Sequence, residues 1–213
     1  MSKASIKGTA LASVVEDLRR LLEMGRLARE QLEARLEAED LRILDAKVSP
    51  GLWYPLASYA RLSAVLVERE GGGRPGYVVE RGARAAERLF ATGLYRQLER
   101  GEEIGAEKRA RGEGWGALEG NLVTSLAGAI FNVSRWRFEV DPDDDRLQRI
   151  EVCEAEALPE VSRLAAQGFI EYTASRLSGT PVRVESERVG RDRIVFRLHL
   201  RRPPDGPGPR TGS

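Results

Sequence analysis

Histidine and cysteine are almost missing from this chain of 213 residues. It holds one of each, His199 and Cys153, and its methionines are Met1 and Met24. One cysteine cannot close an intramolecular disulfide, and Cys153 reads as a small hydrophobe in a reducing, cytoplasmic setting. One histidine excludes every site built on two imidazoles, including zinc clusters, HExxH sites and facial triads. A Ser-His-Asp triad would have to use His199, and no GxSxG elbow accompanies it. Charge of one sign is also lacking: 34 basic and 33 acidic side chains leave a net charge of +1. The basic set is 30 Arg against 4 Lys, but so balanced a chain lacks the broad basic footprint of a nucleic-acid binder. No long apolar run exists. The longest uncharged stretch, Gly120 to Ser134, has 15 residues, short of the roughly 20 needed to span a bilayer. A composition of 41% hydrophobic and 31% charged residues is that of a globular chain able to bury a core without staples.

What is present is periodicity. Val14, Val15, Leu18, Leu21 and Leu22 fall on one helical face, and Gly25 reads as the glycine that ends that helix. Arg26 to Glu39 reads as a second, charge-laced helix with Leu32 and Leu36 facing inward. After the Ser49-Pro50-Gly51 turn, Trp53 to Val67 is apolar nearly all round, the pattern of a buried helix. A glycine-rich loop precedes a helix over Tyr77 to Glu99 whose small residues Gly82, Ala86 and Gly93 would let another backbone approach closely. Gly101 to Gly116 reads as a polar connection, and Ala117 to Asn132 as a further helix.

The period then changes to two. Trp136, Phe138 and Val140 alternate with charged neighbours, the run Asp141 to Asp145 turns the chain, and Ile150 and Val152 continue on a partner strand. A helix from Leu158-Pro159 to Ser178-Gly179 follows, and then a second hairpin through Val182, Val184, Phe196 and Leu198. The expected fold class is therefore α/β of the α+β type: N-terminal helices, then helix–hairpin–helix–hairpin, with helices packed on a four-stranded, mainly antiparallel sheet. Residues 1–202 form one domain in this reading, and 203–213 form a disordered Pro/Gly-rich tail.

No residue set specifies a reaction. An EF-hand starting at Asp141 fails because its sixth and twelfth positions are Arg146 and Val152. The glycines at 112, 114, 116 and 120 lack the preceding strand of a dinucleotide fingerprint and the Gly-Lys-Ser/Thr ending of a phosphate loop. Glu119 reads as a first-turn charge favoured by the helix dipole. His199, between Leu198 and Leu200, should point away from the apolar face of its strand. Trp53, Phe90, Trp136 and Phe169 are the aromatics proposed to line a ligand pocket between helices and sheet. Trp115, Gly82, Gly93, Asp143 and Asp144 are the proposed partner contacts. Glu139 to Glu160 carries a net charge of −7 and Pro181 to Arg202 one of +4. The two hairpins therefore either neutralise each other across strands or match another subunit.

The order of these features resembles a known family. Gly8-Thr9, Gly51-Leu52-Trp53-Tyr54-Pro55, the Ala-rich helix from Gly82 to Tyr95, and Gln167-Gly168-Phe169 followed by a terminal hairpin are similar to a family of uncharacterised bacterial proteins known mainly from myxobacteria. That family is in turn similar to heme-NO-binding and 4-vinyl-reductase-like ligand-sensing domains. The resemblance implies their fold and a habit of ligand sensing or self-association. It does not carry over their chemistry. No His lies on a helix, and the last hairpin has Val189, Phe196 and Leu198 but no Cys, so no heme, metal or other cofactor is expected. The reading is a non-catalytic, cytoplasmic sensory or regulatory module that binds a small apolar ligand or a protein partner as a homodimer. The alternative is an interaction scaffold with no pocket.

Overall fold

In the computed structural model, residues 3–92, 100–101, 103–107, 116–140 and 147–200 are described. The chain opens with a short strand the periodicity did not show, β1 (Ser5–Lys7), which runs directly into α1 (Gly8–Glu23). Leu11, Val14, Val15, Leu18 and Leu21 of α1 are buried. The helix ends as expected at Gly25, whose φ of 65° lets the Arg26 N–H return to the Leu21 carbonyl at 2.9 Å.

The second helical stretch is in fact two helices, α2 (Arg29–Glu33) and α3 (Ala38–Asp45). Each opens with a side chain three residues in reaching back to an unpaired N–H: Gln31 accepts from Ala28 at 3.1 Å, and Asp40 accepts from Glu37 at 3.0 Å. Two starts so close together divide the segment. Within it Arg29 pairs with Glu33 one turn on, while Arg35 reaches Glu68 of a later helix. Leu32 and Leu36 are buried.

β2 (Trp53–Pro55) pairs antiparallel with β1, setting Trp53 opposite Lys7. It leads into α4 (Leu56–Arg69), then α5 (Pro75–Thr92), α6 (Ala117–Ile130), β3 (Arg135–Val140), β4 (Leu147–Cys153), α7 (Glu160–Ser178), β5 (Val182–Gly190) and β6 (Arg193–Leu200). The four-stranded sheet is wholly antiparallel, in the order β3-β4-β6-β5. The second hairpin thus returns to lie beside the first.

The inner face of the sheet carries Ile150, Val152, Val182, Val184, Ile194, Phe196 and Leu198, all buried, and α7 lies over it with Ile170, Ala174 and Leu177. α6 covers β3 so closely that a Cβ on Gly120 would fall 2.3 Å from the Phe138 ring. The N-terminal strands join this layer through β1: Ile6 bridges to Phe131, and the Ser5 N–H donates to Asn132 Oδ1 at 2.7 Å.

α5 and α7 meet backbone to backbone. A Cβ on Gly82 would lie 1.9 Å from the Ala165 carbonyl oxygen, and one on Gly168 would lie 1.8 Å from that of Val79. Gly82 is therefore buried inside its own chain, a correction to its expected place on a partner surface. The close approach it allows is to α7. Gly93, Trp115, Asp143, Asp144 and the tail after Arg202 lie outside the described residues.

Among the described residues ion pairs form within each hairpin and between the two. Arg149 donates to Glu139 at 2.7 Å and Arg197 to Glu187 at 3.1 Å, while Arg193 of the second hairpin bonds Glu151 of the first.

Candidate functional site

Small side chains leave space between the helices. Ala10, Ala12 and Ser13 of α1, Gly82 and Ala85 of α5, Ala127 of α6 and Ala165 and Ala166 of α7 surround a cavity of about 260 Å³. Larger residues complete its wall: Tyr59 and Ser63 from α4, Phe131, Trp136 at the start of β3, and Phe169. Pro50 and Arg88 are its solvent-exposed lining residues and mark the rim. The position follows from the packing just described. Gly82 and Gly168 draw α5 onto α7, while α1 stands off from α5 across the gap.

One polar side chain bridges that gap. Arg81 on α5 bonds the Asp17 carboxylate on α1, and lies 3.4 Å from both the Ser13 carbonyl and the Tyr77 hydroxyl. Asp17 also pairs with Arg20 at 2.9 Å, and Tyr77 donates to Glu70 at 2.8 Å. Burial alone would weaken the hold of Arg81 on its proton; the Asp17 carboxylate outweighs it and raises the guanidinium pKa, so the charge is kept and compensated. Burial pushes the Tyr59 phenol above its ordinary value, with the Arg81 charge and the Ser63 hydroxyl acting the other way. The Ser63 hydroxyl itself makes no hydrogen bond of good geometry.

The four aromatics proposed for the pocket divide into two pairs. Trp136 and Phe169 line the cavity. Trp136 stacks between Phe131 and Phe196, with ring centroids 6.0 and 5.7 Å away, and its indole N–H donates to Ser134 at 2.9 Å. Phe90 and Trp53 are not on the wall. One residue beyond the lining Leu89, the helix has turned Phe90 toward α7, where it meets the Tyr172 ring at 6.0 Å and the Arg176 guanidinium at 5.4 Å. Trp53 belongs to β2 rather than α4. It is 43% exposed, with the Lys7 ammonium 4.1 Å from its ring.

Sequence reasoning missed Ser63 and Arg81. A serine and a tyrosine on the buried face of an otherwise apolar helix was the available signal. Glu119, as expected, is a first-turn residue: its carboxylate accepts the Gly116 N–H at 2.9 Å. Among the described residues no group of His, Cys, Asp and Glu could hold a metal ion, and no helix is long and apolar enough to cross a membrane.

No protein-family model and no curated protein matches the chain. Solved structures do. An H-NOX mutant from T. tengcongensis aligns over 93% of this chain and 99% of its own, at 18% identity and a TM-score of 0.51. The fold is H-NOX-like. A Cs H-NOX mutant carrying a cyanophenylalanine covers 93% and 98% at 16% identity, with a TM-score of 0.49. A structure concerned with heme redox potential and porphyrin distortion covers 92% and 100% at 16% identity, with a TM-score of 0.48.

The resemblance to heme-NO-binding domains raises the question of whether a heme fits here, and the residues answer against it. His199 lies on β6 opposite Arg183 and Leu147, on the face away from Phe196 and Leu198, with Nε2 3.7 Å from Glu185. Cys153 shares that outer face of the sheet, being two and four residues from Glu151 and Arg149 on the alternating strand. Neither side chain faces the cavity. Tyr59 does line it, with burial favouring the protonated form of its phenol. The volume is also below the roughly 300–1,000 Å³ of ordinary drug-sized sites, and a porphyrin is larger than such ligands.

Proposed function

We propose that this chain is a non-catalytic sensory module that binds a small apolar molecule directly in the α1–α5–α7 cavity, with no heme between protein and ligand. The observation that carries the reading is the cavity itself: about 260 Å³ of mainly apolar space within an H-NOX-like fold. A scaffold acting only through its surface would be expected to fill that space. The location suits a sensor, since α1 and α5 face each other across the cavity and are tied by the Arg81–Asp17 bridge. A ligand that enters bears on that bridge and so on the relation of the N-terminal helices to the sheet layer.

The test is stabilisation by a simple apolar molecule. Toluene at about 100 times its dissociation constant should stabilise the fold by about 2.7 kcal/mol. Ala85→Phe, which places a ring in the cavity, should abolish the effect while the protein stays folded. No stabilisation of the wild type would overturn the reading. We further propose that the protein works in the cytoplasm as a homodimer. Leu52 and Trp53, exposed side by side at β2, support a self-association that sedimentation equilibrium would measure; a monomer at high concentration would refute it.

A further inference from the structure

We infer that the ligand of this cavity is an uncharged molecule, a compact ring bearing one hydroxyl or carbonyl, and that its oxygen seats on the Ser63 hydroxyl. The inference rests on the ligand-binding reading above and narrows it to a chemical class.

Ser63 lines the cavity and is 5% exposed, and its Oγ, which interacts with the neighbouring Tyr59 phenol, makes no hydrogen bond of good geometry. A buried hydroxyl so poorly paired costs stability that a ligand oxygen would recover. The hydroxyl can donate or accept, so it suits a phenol, an alcohol or a ketone alike.

The charges on the wall argue against an anion. Among the described residues its charged side chains are Arg81 and Arg88. Arg81 is committed to Asp17, whose carboxylate already compensates its charge. Arg88 stands at the exposed rim, where solvent and salt screen it. A carboxylate drawn into the interior would give up its hydration without gaining a free cation. An ammonium would meet no free anion among the described residues, where no Asp or Glu lines the wall.

Size and shape point the same way. An apolar cavity of roughly 150 Å³ holds benzene, so about 260 Å³ leaves room for a substituted ring. The rings of Tyr59, Phe131, Trp136 and Phe169 offer faces and edges to pack against it.

Three probes of nearly one shape separate the alternatives: toluene, p-cresol and p-toluate, titrated into the full-length protein at about pH 7.5 where the toluate is ionised. Calorimetry, together with quenching of tryptophan fluorescence through Trp136, gives the affinities. Toluene and p-cresol should bind, with p-toluate at least about 100-fold weaker than p-cresol. Ser63→Ala should weaken p-cresol about 3- to 10-fold and leave toluene within about twofold. Toluene binding certifies that the variant is folded, and Ser63→Cys, which keeps a weak donor, should fall between the two.

Binding of p-toluate within about tenfold of p-cresol would overturn the exclusion of charge while leaving the cavity reading intact. An unchanged cresol-to-toluene ratio in Ser63→Ala would overturn the seat at Ser63. Failure of all three probes to bind the wild type would remove the cavity reading itself.

Discussion

Replacing Gly168 by alanine should destabilise this protein, although alanine is the better helix former. Gly168 sits within α7, and a Cβ there would lie 1.8 Å from the Val79 carbonyl oxygen of α5 and 3.0 Å from the Ala83 nitrogen. An ordinary contact begins near 3.4 Å, so the two helices must part by about 1.6 Å or tilt. What stands in the way is backbone, which cannot swing aside as a side chain does. Overpacking of this kind costs about 1–3 kcal/mol, and more where nothing yields. The gain in helix propensity from Gly to Ala returns up to about 1 kcal/mol. The upper part of the range applies, because Gly82 locks the same seam against Ala165. A net loss of about 1–2 kcal/mol follows, or a fall in Tm of about 2–8 °C for a chain of this length.

The control is Gly128→Ala on α6, exposed and with nothing within 4 Å of the added Cβ. There the helix-propensity gain stands unopposed and should stabilise by about 0.5–1 kcal/mol. Thermal and urea denaturation followed by circular dichroism would compare the two. If Gly168→Ala melts at or above the wild type, as Gly128→Ala should, the backbone-on-backbone seam is wrong, and with it the back wall of the cavity.

Other outcomes follow from the buried charges and the missing iron ligand. Asp40 is fully buried and holds Arg61 through contacts of 2.6 and 2.9 Å; Asp40→Ala should cost about 2–3 kcal/mol in urea denaturation, tempered by the second partner of Arg61, Glu37. Burial works to raise the Asp40 pKa, but the bonds from Arg61, Ser58 and the Glu37 N–H prevail and hold it below the ordinary 3.8. Its contribution is therefore present above that value and is lost as the pH falls through the lower, folded-state pKa, so the advantage of wild type over Asp40→Asn should shrink in acid. Asp17→Asn should strip Arg81 of its compensating charge and raise the affinity for p-toluate at least about tenfold, as read by calorimetry. Hemin added to the purified protein should give no absorption band of an axially ligated heme, and His199→Ala should leave the spectrum unchanged. A ligated band that persists in His199→Ala would refute the exclusion of a heme from the cavity.

Much of the fold was legible because periodicity is local. The stripe from Val14 to Leu22, the alternation from Arg135 to Val140, and Gly179, which takes the left-handed conformation after α7 at a φ of 69°, each declare themselves within a few residues. So did the direction of His199, which follows from strand alternation alone. The divided stretch from Arg26 to Asp45 was less legible, since continuous charge pairing hid two separate helix starts at Ala28 and Glu37. β1 and β2 were invisible, because three-residue strands carry too little pattern to stand out against the helices they adjoin.

The site drew on both levels. By itself the sequence determined what this protein lacks: a second histidine, a cysteine pair and an excess of charge. Those absences remove most cofactor chemistry whatever the fold, because no packing supplies a ligand atom the chain does not have. Where the empty space lies was decided only by the tertiary structure. Alanines at 10, 12, 85, 127, 165 and 166 look like ordinary helix formers one segment at a time. They become a cavity because Gly82 and Gly168 pull α5 onto α7 while Arg81 bridges to α1 across the gap. The same geometry put Gly82 inside the chain and turned Phe90 away, since a cavity is set by how helices cross and a helix's own period does not contain its crossing.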